Sequence, residues 1–76
     1  MNLYLLERTD SGLWDQDTAK IVVASSEDSA LEIAEHDENA NIWWTNNRNY
    51  INVTFLGVAK SEWDKPQVVF SAWQAG

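Results

Sequence analysis

Side chains able to do covalent chemistry are few in this chain, and they stand apart from one another. The single histidine, His36, lies between Glu35 and Asp37. To act as a general base, an imidazole needs a nucleophile or a held water within hydrogen-bond reach, and no partner motif surrounds this one. The negative end of a helix, which favours a positive charge, accounts for a histidine there. Asp10, Asp15 and Asp17 gather in one short stretch. The spacing Asp15-Gln16-Asp17 matches the start of a calcium loop, but the later oxygen ligands, the mid-loop glycine and the closing glutamate are missing. Turn formation explains these carboxylates. In a binding role, Asp15 and Asp17 would face a cationic protein surface. There is no cysteine, so neither a disulfide nor a thiolate metal site can form. No phosphate-cradling glycine loop, zinc-ligand spacing or Ser/His/Asp grouping occurs either. The expectation is a protein that is not an enzyme and that carries no metal or cofactor.

Recognition has better material. The segment Ile42-Trp43-Trp44-Thr45-Asn46-Asn47-Arg48-Asn49-Tyr50 combines stiff aromatic rings, one arginine and several amides. Trp, Tyr and Arg dominate the residues that carry binding energy at protein interfaces. The same set suits a nucleotide, with a base stacked on indole and a phosphate on Arg48. Against both stands a plain packing role, in which Trp43 or Trp44 plugs the open end of a small core while the asparagines make turns. Trp63, beside Asp64 and Lys65, either extends such a patch or caps it. Trp43, Trp44, Asn47, Arg48, Tyr50, Asp15, Asp17 and Trp63 are therefore the candidate partner-binding residues.

The elements that must hold these residues follow from periodicity. Leu3–Glu7 reads as a strand with apolar residues on both faces, hence a central or covered one. Thr9-Asp10-Ser11-Gly12 carries turn chemistry, and Leu13 to Thr18 continues the loop. Ala19–Ala24 is a second strand, β-branched at Ile21-Val22-Val23. Ser25 followed by Asp28 approximates a capping box, and Glu27 and Asp28 complement the positive end of a helix running from about Ser26 to His36. Ala30, Leu31, Ile33 and Ala34 form its apolar face, while Glu27, Glu32 and Glu35 look outward. Ile51–Ala59 is the longest strand, with Ile51, Val53 and Phe55 on one face and Asn52, Thr54, Leu56 and Val58 on the other. A turn at 61–65 precedes Gln67–Trp73, where Val68, Phe70 and Ala72 oppose Val69, Ser71 and Trp73. The order ββαββ predicts an α+β domain of two layers. Two antiparallel hairpins would form a four-stranded, mainly antiparallel sheet with one helix laid across it. The other sheet face is left partly open or used for self-association.

Size and charge narrow the role. Residues 1–76 are expected to form a single domain, since so short a chain has no second core and buries only about 60% of the surface its unfolded form exposes. It nevertheless holds five Trp, two Tyr and two Phe. So modest an interior rarely encloses that many rings with every indole N–H satisfied, so some aromatic surface is expected outside. Twelve acidic against five basic residues give a net charge of −7. Duplex nucleic acid is repelled by such a field, and Arg8, Lys20, Arg48, Lys60 and Lys65 are scattered rather than grouped. A negative shell serves solubility and suits a basic protein partner. No stretch approaches the ~20 apolar residues of a membrane span, and the first residues lack the pattern of a secretion signal. The expected location is the cytoplasm, with no membrane partner.

Two parts of the chain carry a resemblance. Leu3-Tyr4-Leu5-Leu6-Glu7-Arg8-Thr9-Asp10, with Asp15-Gln16-Asp17, Ile21-Val22-Val23-Ala24 and the helix entry Ser25-Ser26-Glu27-Asp28-Ser29-Ala30, resembles a group of short bacteriophage and prophage proteins of unassigned function. So does Val68-Val69-Phe70-Ser71-Ala72-Trp73-Gln74-Ala75-Gly76, an aromatic-polar-Ala-Gly ending. The segment Asn39 to Asn49 matches no pattern of that group. The resemblance implies an anti-CRISPR-like role: a non-enzymatic inhibitor that binds a bacterial host defence protein on a basic surface, in the host cytoplasm. Its alternatives are a homo-oligomeric sponge that sequesters a nucleotide signal, and a phage accessory protein with no host target.

Overall fold

The computed structural model describes residues 1–9, 16–37, 44 and 47–74, of which 16–18 and 72–74 are described for the backbone alone. The strands are β1 (Asn2–Arg8), β2 (Gln16–Ala24), β3 (Ile51–Val58) and β4 (Gln67–Gln74), and the helix α1 is Glu27–Glu35. A single 3-10 turn, Arg48–Tyr50, leads into β3. The strands form one antiparallel sheet in the order β3-β1-β2-β4. The α+β class and the chain order therefore agree with the sequence pattern.

The pairing departs from it. Only β1 and β2 form a hairpin pair; β3 and β4 lie on opposite edges instead of forming a second hairpin. β1 and β2 are apolar on both faces, so both gain by lying inside the sheet with a neighbour on each side. The helix returns the chain beyond β1, and the segment 59–66 then crosses one end of the sheet to reach the far side of β2. It is tied there by the Ala59 N–H, which donates to the Met1 carbonyl at 2.8 Å. Asp17 is likewise a strand residue, opposite Trp73, and not part of the first loop.

α1 packs chiefly on β2 and touches β1 and β4. Tyr4, Leu6, Val22 and Ala24 face it from the sheet and make the core with Ala30, Ala34 and Trp44. Ala30 and Ala34 share a helix face one turn apart, and their small side chains let the backbone approach the strands. Leu31 and Ile33 are partly buried on its flanks. The N-cap is Ser26, one residue later than the capping pattern suggested; its Oγ accepts from the Ser29 N–H at 3.2 Å. His36 closes the helix, its N–H donating to the Glu32 carbonyl at 3.2 Å.

Two irregularities change which residues share a face. Tyr4 pairs with Phe55 but Leu3 with Gly57, so Leu56 is an extra residue in β3. Each such insertion shifts the alternation beyond it. Val58 therefore stands opposite Asn2, on the Tyr4 side of the sheet, instead of sharing a face with Asn52 and Thr54. In β4, Ile21 pairs with Phe70 and Val22 with Val68, leaving Val69 extra and placing Val68 and Phe70 on opposite faces.

Lys20 is the one polar residue sealed in the described core. Its Nζ donates to Asp37 Oδ2 at 2.8 Å and to Ser71 Oγ at 3.4 Å, and lies 5.1 Å from the Trp44 ring centroid. This ammonium joins β2, β4, the end of α1 and the segment that follows.

Candidate functional site

The sequence-derived binding residues do not form one patch. Trp44 is fully buried beneath Lys20 and belongs to the core, so its ring is closed to an incoming partner. That corrects its reading as a surface anchor and gives it the plugging role instead. Trp44 packs in one cluster with Tyr4, Leu6, Val22, Ala24, Ala30 and Ala34. Trp43 and Asp15 lie outside the described residues, and the side chain of Asp17 is not described.

Asn47, Arg48 and Tyr50 stay together at the end of the sheet where β1 finishes. Asn47 is the residue before the 3-10 turn, and its carbonyl accepts from the Tyr50 N–H at 2.9 Å. The Tyr50 carbonyl accepts from both the N–H of Thr9, at 2.8 Å, and its Oγ1, at 2.9 Å. These bonds anchor the backbone and leave the Tyr50 ring outside, 55% exposed. Arg48 donates to Glu35 at the end of α1. The hydrogen bond with Glu35 raises the guanidinium pKa above its already high value; desolvation opposes this, and the charges of Glu35, Asp28 and Glu32 add to it. Arg48 is thus engaged by an acidic helix. The Trp44 ring, enclosed in the core, is not part of the exposed surface around Arg48.

Trp63 lies at the opposite end of the sheet, in the segment that joins β3 to β4, and so not in a hairpin turn. It is half-buried, its backbone N–H donates to the Lys60 carbonyl at 2.9 Å, and Lys60 Nζ stands 5.4 Å from its ring centroid. It caps its own turn and does not extend the Tyr50 surface.

Two surfaces emerge that single residues did not announce. The outer side of α1 exposes Glu27, Asp28 and Glu32, and its last turn has no basic residue. The β3 edge exposes Phe55, Leu56 and Val58, the last at 76%, towards the end of the strand away from Tyr50. α1 does not extend far enough to cover them. Phe55 keeps one ring contact, with Tyr4, at a centroid distance of 5.9 Å. The signal for this edge was present: no charged residue lies between Arg48 and Lys60. Among the described residues no group of three or more His, Asp or Glu stands close enough to hold a metal ion. No helix among them is long and apolar enough to cross a membrane. The chain matches none of the protein families, curated proteins or solved structures with which it was compared.

Proposed function

We propose that this protein is a non-enzymatic inhibitor of a bacterial defence system, acting by laying an acidic face on a basic, normally nucleic-acid-binding surface of a host protein. The phage resemblance of the chain supplies the class of target. The observation that supports the mode of action is the outer side of α1, where Glu27, Asp28 and Glu32 stand together in solvent on a chain of net charge −7. Complementary fields of this kind accelerate encounter and exclude partners of like sign. The exposed ring of Tyr50, next to Arg48 and close to the end of the same helix through the Arg48–Glu35 pair, supplies an apolar anchor at its rim.

The test is infection of bacteria carrying individual defence systems, with and without expression of the chain. Infection should recover in at least one system, and purified chain should displace nucleic acid from that system's binding protein. A variant combining Glu27→Gln, Asp28→Asn and Glu32→Gln should lose this displacement while keeping its circular dichroism spectrum. Raising salt, so that the screening length falls below the ~8 Å of physiological buffer, should weaken the parent complex. Recovery in no system, or full displacement by the neutralised variant, would defeat the proposal.

A further inference from the structure

We infer that β3 is a self-association edge, on which a second copy of this chain adds its own β3 antiparallel about a two-fold axis through Val53. The inference begins with charge. Two copies of a chain at −7 repel each other wherever acidic residues meet, so a stable contact must form where none are carried. β3 and its flanks, from Asn49 to Ala59, are free of charge. Sheet edges are ordinarily protected from such pairing by lysine, proline or inward-pointing charge, and Ile51–Val58 contains none of these.

Backbone geometry fixes how the edge is offered. The Thr9 N–H donates to the Tyr50 carbonyl and the Ala59 N–H to the Met1 carbonyl. Odd-numbered residues of β1 therefore bond β3, and with the observed register they do so through Tyr50, Asn52 and Thr54. The N–H and C=O groups of Val53 and Phe55 and the C=O of Ile51 consequently point away from the sheet, while the Ile51 N–H is held by the Arg48 carbonyl. The regular run Ile51–Phe55 is bracketed by the 3-10 turn before it and the Leu56 irregularity after it. Its midpoint, Val53, is in the outward-bonding phase. A two-fold axis there pairs Val53 with Val53 of the second copy, which exchange two backbone bonds, and Ile51 with Phe55 of the second copy, where the Phe55 N–H donates to the Ile51 carbonyl.

The side chains fit the same register. On the helix side, Ile51, Val53 and Phe55 of both copies would form one apolar strip, with the aromatic opposite a β-branched residue, a favourable cross-strand pairing. On the other side Asn52 would meet Thr54, and the two can bond each other. Exposed Leu56 and Val58 extend the strip at either end. β4, also free of charge, is a poorer edge: Val69 interrupts its pairing within the strand, and a second irregularity faces it in β2 between Asp17 and Ala19. One short strand from each copy buries less than the roughly 800 Å² per partner of a standard interface. The dimer is accordingly expected to dissociate on dilution.

Sedimentation velocity of the full chain over a range of concentrations tests this. The parent should pass from monomer to dimer, and added salt should favour the dimer by screening its repulsion, the opposite sign to that expected for binding a basic partner. Phe55→Glu, at an exposed position, should weaken the dimer at least tenfold with an unchanged circular dichroism spectrum. Val53→Pro removes an N–H that no bond within the monomer uses and should have the same effect; edge strands tolerate proline at such positions. Because the chain has no cysteine, register can be read directly: Val53→Cys should form an intermolecular disulfide on oxidation and Thr54→Cys should not. A parent that stays monomeric to about 1 mM, where association weaker than ~4 kcal/mol is lost, would overturn the inference. So would a dimer untouched by Phe55→Glu, or equal cross-linking at positions 53 and 54.

Discussion

Removing the carboxylate of Asp37 should be among the most damaging single changes available to this protein, although the residue lies outside every regular element. Its Oδ2 stands 2.8 Å from Lys20 Nζ, and the side chains are 14% and 0% exposed, respectively. Ser71 Oγ at 3.4 Å and the Trp44 ring also contact the ammonium. Breaking a buried pair from one side costs about 3–5 kcal/mol, because the remaining charge keeps its desolvation cost and loses its counter-ion. At ~0.05–0.15 kcal/mol per residue, a chain of 76 residues has a total stability of about 4–11 kcal/mol. Asp37→Ala thus removes from about a quarter to all of it. Lys20→Met behaves differently. It deletes the ammonium together with its desolvation cost, fills similar volume, and leaves Asp37 near enough to the surface to be hydrated. Its stability should lie within about 1 kcal/mol of the parent, and Lys20→Met combined with Asp37→Ala should recover most of the single-mutant loss. Urea unfolding followed by tryptophan fluorescence measures all four proteins, with stability differences read from midpoints at constant slope. Equal damage from Lys20→Met and Asp37→Ala, or no damage from Asp37→Ala, would show that the pair does not hold the sheet to the end of the helix.

Five further substitutions separate packing from backbone effects. Trp44→Ala should destabilise by about 3–5 kcal/mol, the usual cost of emptying a buried aromatic site, and a thermal melt checks it; Tyr50→Ala should stay within about 0.5 kcal/mol as an exposed control. Ser26→Ala removes the hydroxyl that accepts the Ser29 N–H and should cost about 1 kcal/mol, whereas Ser25→Ala should be nearly neutral by the same melt. Gly57→Ala meets open space, nothing lying within 4 Å of an added Cβ, but the backbone there has φ +149. The expected loss of about 1–3 kcal/mol in urea unfolding therefore comes from the backbone alone.

Much of the fold was legible because it rests on local signals. Alternation located all four strands within a few residues, and the serine–acid entry with Ala30 and Ala34 at helical spacing located α1. What escaped depends on single residues acting at a distance. One extra residue, Leu56, moves Val58 across the sheet, and one, Val69, separates Phe70 from Val68. Neither carries a sequence mark, since a leucine or valine reads the same in a regular strand and at an irregularity. The second hairpin failed for a related reason. Adjacent strands in sequence are the economical guess, but β1 and β2 each present apolar residues on both faces, and that property favours interior places for both. Lys20 shows the limit from the opposite direction. A lysine on a strand is ordinarily read as solvent-facing, and the sequence does not show that the end of α1 brings Asp37 within 2.8 Å of it.

An excess of aromatic rings over what a small interior can enclose implied exposed aromatic surface, with Trp43 and Trp44 as its natural bearers. Trp44 is enclosed, and Tyr50, Phe55 and Phe70 are the exposed rings among the described residues. Trp44 packs in the core cluster with Ala30 and Ala34 of α1, which lies chiefly on β2. Exposure of Phe55 thus goes with the strand farthest from the helix and that of Phe70 with the sheet face away from it, and neither follows from which residue was largest. Charge then divides the molecule: acidic residues line the outer side of α1, and the uncovered strand has none. The two surfaces should respond oppositely to ionic strength, because one attracts a basic partner and the other requires relief from self-repulsion. A titration of salt alone, before any residue is changed, distinguishes which surface is responsible for an association observed with this protein.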